Sequence, residues 1–286
     1  MAHTTHIVKR LIADALLEDQ VAVDLTTRLI PGDAQCKAVF LTKQPGILSG
    51  IYVAMEVFRQ VDDRLDWTIF QEDGSSIVAG QTIAVVKGSL GSVLSAERTA
   101  LNFVQRMSGV ATSTKEFVKL VEDLPAIIVD TRKTVPGWRF LDKYSVRMGG
   151  GKNHRFSLAD GVLIKDNHIA AGAAAGLDIG ALIAKARNES PHTVRIEIEA
   201  ETLEQVEVAL RSGADIVMLD NMDLGTMSQA VTLCRGRSIT EASGNVDLKT
   251  VRDIAKTGVD FISVGSITHS SRALDISLDI DVKDIS

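Results

Sequence analysis

The chain has 286 residues, 45% of them hydrophobic and 24% charged, and carries a formal net charge of −6. This composition is that of a globular protein with one large core or two smaller ones; the acidic balance and only 4% aromatics exclude a general nucleic-acid binder. The two cysteines, Cys36 and Cys234, lie far apart without CxxC or histidine-rich company, so neither a disulfide framework nor a zinc site is expected, and a cytoplasmic setting is.

The first element is a helix from His6 to Leu17, whose apolar positions are interrupted by Lys9, Arg10 and Asp14, with Glu18 just beyond, a pattern that excludes a signal-peptide core. No apolar run reaches membrane-spanning length, so no membrane partner is expected. β-like runs follow at Lys37 to Thr42, Thr68 to Gln71 and Thr82 to Lys87, with a helix at Ile51 to Gln60. After Gly91 a long helical pattern places Val93, Leu94, Leu101 and Val104 on one face. Residues 1–110 therefore read as an α+β N-terminal domain.

From Val121 one grammar repeats: a short apolar run, a polar or glycine-bearing loop, then helical periodicity. The strand candidates are Ala126 to Asp130, Val162 to Lys165, Thr193 to Glu199, Ile216 to Asp220, Ser238 to Ala242 and Asp260 to Gly265. Helices between them include Ala181 to Asn188, Leu203 to Ser212 and Leu248 to Thr257, the last two stopped by Gly213 and Gly258. Strands buried on both sides and joined by helices are parallel, which makes an α/β barrel or a doubly wound sheet the natural architecture, and six units rather than eight favour an incomplete barrel over residues 111–270. The closing LDISLDIDV alternates like a half-buried strand, so residues 271–286 are expected to return to the first domain.

Charge is not spread evenly. Between Arg132 and Lys165 lie Arg132, Lys133, Arg139, Lys143, Arg147, Lys152, Arg155 and Lys165 against only Asp142 and Asp160, a local excess that asks for a small anion. In a parallel βα barrel the carboxyl ends of the strands form the catalytic face. The first two candidate strands deliver Arg132, Lys133 and Lys165; the next two deliver Glu199, Glu201, Asp220 and Asn221; the last two deliver Ser243, Gly244, Asn245, Gly265 and Ser266. Cations, then carboxylates, then small loops suit a ligand with a carboxylate head, a polyol middle and a phosphate tail.

The ordered motifs DTRKTVPGWR, GGGKNHR, LIKDNH, IEIEAETLEQ, ADIVMLDNM, EASGN and ISVGSITHS resemble those of the quinolinate phosphoribosyltransferases, as do EDQVAVDLTT and ERTALNFVQRMSG nearer the N-terminus. The resemblance covers residue 18 to beyond 270. It implies an incomplete α/β barrel beside an α/β N-terminal domain, and phosphoribosyl transfer from 5-phosphoribosyl 1-pyrophosphate to quinolinate with Mg²⁺. It implies that Arg132, His154, Arg155 and Lys165 surround the quinolinate carboxylates, joined by Arg98 from the neighbouring subunit of a homodimer. It further assigns Lys133, Glu199 and Asp220 to catalysis and the phosphoribosyl donor, Mg²⁺ to the vicinity of Glu199 and Asp220, mainly through substrate and water, and Ser243, Gly244, Asn245, Gly265 and Ser266 to phosphate-binding loops. The chain departs from the pattern at Val23 and Ser157, where the family usually has glycine, which leaves the local backbone in question.

Plainer readings accompany these. The GGGK at Gly149 to Lys152 lacks the spacing and the Ser/Thr of a phosphate-binding P-loop and reads as a mobile turn. His168 orders its loop, Trp138 and Tyr144 pack, and Lys143, Arg147 and Lys152 raise local potential or pair with Asp142. Glu197 and Glu201, which share a strand face with Glu199, gain no role from the resemblance. The rival activities are a related phosphoribosyltransferase acting on another aromatic carboxylate and a Schiff-base lyase acting through Lys165, the latter separable by borohydride trapping.

Overall fold

A computed structural model describes residues 6–282 of the chain. In chain order the elements are α1 (His6–Glu18), β1 (Gln35–Thr42), β2 (Gly46–Ile47), α2 (Ile51–Val61), β3 (Asp66–Ile69), β4 (Ser76–Ile77), β5 (Thr82–Ser89), α3 (Leu90–Val121), β6 (Ile127–Val129), α4 (Arg139–Met148), β7 (Val162–Ile164), α5 (Asp166–Ala174) and α6 (Ile179–Glu189). They continue as β8 (Ile196–Ala200), α7 (Leu203–Arg211), β9 (Ile216–Asp220), α8 (Leu224–Cys234), β10 (Ile239–Ser243), α9 (Val251–Lys256), β11 (Phe261–Ser263), α10 (Ser266–His269) and β12 (Ile276–Val282). No single described helix is long and apolar enough to cross a membrane. Two compact units result, one of residues 1–115, 134–150 and 267–286, the other of 116–133 and 151–266.

The first unit is built on an antiparallel sheet of order β12-β1-β5-β3. β1 alternates buried and half-buried residues because only one of its faces meets the core, where Phe40 packs against Phe58 and Trp67 at ring distances of 6.0 and 5.6 Å. β12 closes the sheet by pairing with β1 in the register Phe40↔Leu278, so the alternating C-terminal run does return to this unit; residues 283–286 lie outside the described residues. Along α3, Val93, Ala96, Ala100, Phe103, Val104 and Met107 bury one face at helical spacing. Where α3 meets the C-terminal segment there is room only for glycine: a Cβ on Gly109 would sit 2.0 Å from the Arg272 carbonyl oxygen.

The unit boundaries differ from the expected 1–110 and 111–270: residues 111–115 and 267–270 fall in the first unit, and so does Thr134–Gly150, all expected in the barrel. Its helix α4 has no counterpart in the sequence reading because its buried positions are not all apolar. Leu141, Tyr144 and Val146 are buried beside Asp142 and Lys143, and the Asp142 carboxylate is held at 3.2 Å by Arg106 of α3. Trp138 stacks on Phe103 at 4.8 Å and Tyr144 donates to Asp73 at 2.8 Å, so both are packing residues.

The second unit holds six parallel strands in the order β6-β11-β10-β9-β8-β7. β9 and β10 each have a central run of three buried residues, as strands covered on both faces require. Thr202 caps α7 by accepting from Gln205 N–H, and Asp223 caps α8 through Gly225 and Thr226. Lys152 adds a parallel bridge to the β6 edge, with its N–H on Ile128 and its carbonyl receiving Asp130 N–H. Lys152, the last residue of the GGGK segment, is thereby held on the sheet, while Gly149 and Gly150 close the end of α4 through bonds to the Ser145 and Arg147 carbonyls. Val23 and Ser157 are not among the described non-glycine residues with positive φ, so neither needs the glycine that the family pattern has there.

Candidate active site

The strand ends of the second unit converge on a cavity of 320 Å³ lined by Thr131, Arg132, Lys133, His154, Arg155, Leu163, Lys165, Met218, Glu241, Ser243 and Ser263. Each cation has a structural reason for its place. Arg132 and Lys133 follow β6, and Lys165 follows β7, its N–H donating to His168 Nδ1 at 2.9 Å, so that His168 does order this loop. The fully buried Asp130 accepts from His154 N–H at 2.9 Å and from the Asn153 amide at 2.6 Å, which fixes the crossing segment that presents His154 and Arg155.

The electrostatics are those of an anion receptor. Burial, then the neighbouring charge of Arg132, pushes Arg155 below its ordinary value, against the opposing pull of Glu197, Glu199 and Asp160. Arg132 Nε is buried with no hydrogen-bond partner within the protein. Lys165 Nζ is paired with Glu199 Oε1, and the second oxygen of Glu199 accepts Asp166 N–H at 3.2 Å.

Behind His154 lies a feature the sequence reading missed. Glu197 and Glu241, 4% and 3% exposed, approach His154 Nε2 at 3.0 and 3.5 Å. His154 Nδ1 in turn accepts Arg155 N–H at 2.7 Å, so both ring nitrogens are engaged within the protein. Burial opposes charge on His154, but the Glu197 hydrogen bond and the nearby carboxylates outweigh it and raise its pKa above the ordinary value. Burial, reinforced by the charge of Glu197, raises Glu241 far above the usual carboxylate range, which makes it the natural place for a proton shared within the trio. One oxygen on each glutamate lacks a partner, and the ligating atoms of the trio lie within 4.8 Å of one another, a spacing open to a cation as well as a proton. The signal in the sequence was the period of two: Glu197 with Glu199, and Glu241 with Ser243, share inward-facing positions.

The remaining predicted residues sit beside the cavity or apart from it. Glu199 reaches it through Lys165; Asp220 ends the neighbouring strand β9 and accepts from Asn221 Nδ2 at 2.8 Å. Gly244 and Asn245 follow β10, and Gly265 and Ser266 follow β11. Glu199 and Asp220 are hard oxygen donors, and among the described residues neither joins a cluster of three His, Cys, Asp or Glu side chains at metal-ligand spacing. That suits Mg²⁺, which keeps most of its ligands as water and phosphate. Arg98 belongs to the first unit, where it lines a separate cavity of 380 Å³ with Asp14, Glu18, Asp19 and Trp138. Arg139, Lys143 and Arg147 also belong to that unit, where Asp142 pairs with Arg106.

The chain is 42% identical to a Bacillus subtilis protein named probable nicotinate-nucleotide pyrophosphorylase (carboxylating), over 96% of this chain and 93% of that one. It is 41% identical to a Nicotiana tabacum quinolinate phosphoribosyltransferase (decarboxylating), over 99% of this chain and 84% of the relative. The solved nicotinate-nucleotide pyrophosphorylase of Francisella tularensis superposes with a TM-score of 0.92 at 41% identity, over 96% of both chains. A Pyrococcus furiosus structure at 16% identity shares the fold with a TM-score of 0.69. Residues 24–108 match the family model for the quinolinate phosphoribosyl transferase N-terminal domain and residues 110–279 that for its C-terminal domain. With both domains matched in order and the cationic cavity at the strand ends, this chain belongs to the quinolinate phosphoribosyltransferase family.

Proposed function

We propose that the protein transfers the phosphoribosyl group of 5-phosphoribosyl 1-pyrophosphate to quinolinate with decarboxylation, giving nicotinate mononucleotide, pyrophosphate and carbon dioxide for NAD biosynthesis. The observation that carries this reading is the unpartnered, buried Nε of Arg132 beside a destabilised Arg155, in a cavity whose other cations are Lys133 and Lys165. An aromatic dicarboxylate supplies the missing acceptors, and planar guanidiniums suit carboxylates because they bind through two parallel N–H groups. His154 has no nitrogen to spare, so in this reading it forms part of the wall and holds the Arg155 backbone in place.

The donor half comprises Lys133, Glu199, Asp220 and the loops at Ser243, Gly244, Asn245, Gly265 and Ser266. As the bond from the anomeric carbon to pyrophosphate breaks, the electron pair leaves with pyrophosphate and positive charge develops on the ribose. Glu199 and Asp220 stabilise that charge, Lys133 steadies the leaving group, and the pyridine nitrogen forms the new bond. Loss of carbon dioxide then leaves an electron pair on the ring carbon beside the quaternised nitrogen, where a proton replaces it; Arg132, Arg155 and Lys165 hold the ring oriented throughout. Glu199 and Asp220 would also hold Mg²⁺, which when bound supplies neutralising charge to the pyrophosphate. We further propose a cytoplasmic homodimer in which Arg98 reaches the acceptor half of the neighbouring subunit.

The test is turnover of purified protein with the donor, Mg²⁺ and either quinolinate or nicotinate, following nucleotide and carbon dioxide together. Equal release of both from quinolinate is expected. Turnover of nicotinate with none of quinolinate would transfer the assignment to another member of the superfamily.

A further inference from the structure

Asn221 has no part in the roles set out above, yet it is the residue on which the ends of two strands meet. It follows the last residue of β9 with φ +51°, a left-handed conformation that side chains other than asparagine and aspartate resist. Its backbone N–H donates to the Ser243 carbonyl at 3.1 Å, carrying the β9–β10 ladder one step beyond the strand. Its side-chain amide then joins both neighbours, with Nδ2 donating to Asp220 Oδ2 at 2.8 Å and Oδ1 accepting from Asn245 Nδ2 at 3.1 Å. Gly244 lies directly against it: a Cβ there would meet Asn221 Oδ1 at 2.2 Å and Cγ at 2.6 Å. Asn245 repeats the left-handed conformation at φ +50°, and Gly244 has φ +89°. Asn221 and Asn245, two non-glycine residues at positive φ, thus meet around one amide beside Gly244, and such strain persists only where the surroundings over-determine it.

We infer that Asn221 is a positioning residue for the phosphoribosyl donor, a clamp that sets the Asp220 carboxylate and the Gly244–Asn245 backbone in one fixed relation. The inference rests on the donor-half assignment. It adds that the two halves of the donor contact, the ribose carboxylate and the phosphate loop, are not independently placed. Because neither amide atom of Asn221 is directed at Arg132, Arg155 or Lys165, the effect is confined to the donor.

Two substitutions separate the clamp from a merely structural asparagine. Asn221→Gly keeps the backbone conformation and deletes both side-chain bonds. Asn221→Asp keeps the acceptor for Asn245 but puts a carboxylate where Asp220 had a donor. With net values of roughly 0.5–1.5 kcal/mol per bond, Asn221→Gly is expected to raise KM for 5-phosphoribosyl 1-pyrophosphate on the order of tenfold, with KM for quinolinate within about twofold. Asn221→Asp, which sets two carboxylates side by side, should weaken the donor further. Equal rises in both KM values, or an unchanged donor KM in Asn221→Gly, would overturn the clamp. The controls keep the two claims apart: wild-type protein that does not turn over quinolinate sinks the proposed function, whereas active wild type with an indifferent Asn221→Gly sinks only the clamp.

Discussion

At the scale of single residues, the strand-end cavity holds Arg132 and Arg155 close together, two cations that the proposed acceptor would relieve. Arg155→Ala should therefore act mainly on the acceptor. Loss of a hydrogen bond to a charged group is worth about 1.5–3 kcal/mol, which predicts a rise in KM for quinolinate on the order of 10–100-fold, measurable by steady-state kinetics at saturating donor. The buried trio makes a separate prediction about pH. Both His154 and Glu241 have raised folded-state values, so the stability each contributes is fully present below its unfolded pKa and lost as pH rises through its folded pKa. Thermal stability should thus decline from mildly acidic pH to about pH 8, the value to which Glu241 is raised. Glu241→Gln, which removes one of two buried like charges and keeps the shape, should flatten that decline; a melting-temperature profile as steep as that of wild type would count against the shared proton.

At the scale of elements, the sequence carried the parallel strands well because each is a short apolar run between turn signals, and β9 has the predicted bounds Ile216–Asp220. It failed at α4, where a buried Asp142 and Lys143 interrupt the apolar face, and at Glu241, whose inward position follows only once the strand is known to line a barrel. Residue motifs revealed which groups bear charge; they did not reveal which groups neutralise them, since Arg106 and Asp142, or His154 and Glu197, meet only through tertiary packing. Packing also sets the sign of a substitution in α3. Gly109→Ala gains about 1 kcal/mol of helix propensity, but its methyl group would meet the Arg272 carbonyl at 2.0 Å, an obstacle of backbone that cannot rotate away. Overpacking of this kind costs about 1–3 kcal/mol, so a lowered midpoint in urea is expected.

For the whole molecule, the eight cations that crowd one stretch of sequence are divided between two units: Arg132, Lys133, Lys152, Arg155 and Lys165 in the barrel, Arg139, Lys143 and Arg147 in the other. Neighbours along the chain are thus presented by two different units, while Arg98, remote in sequence, belongs to the proposal only through a second subunit. That proposal predicts complementation. Arg98→Ala and Arg155→Ala protomers, each nearly inactive alone, should on unfolding and remixing recover about a quarter of wild-type activity, because a two-fold dimer carrying both lesions retains one intact site in a mixed half of the population. No recovery on mixing, with mixed dimers demonstrated, removes Arg98 from the shared site. The pairing of β12 with β1 has a consequence of another kind. The partner of Phe40 is Leu278, so while the chain emerges from a ribosome the hydrogen-bonding edge of β1 stays open until the whole barrel unit has been synthesised. An open strand edge is a template for wrong pairing, which makes the nascent chain most vulnerable to aggregation late in translation and makes its yield sensitive to chaperone supply.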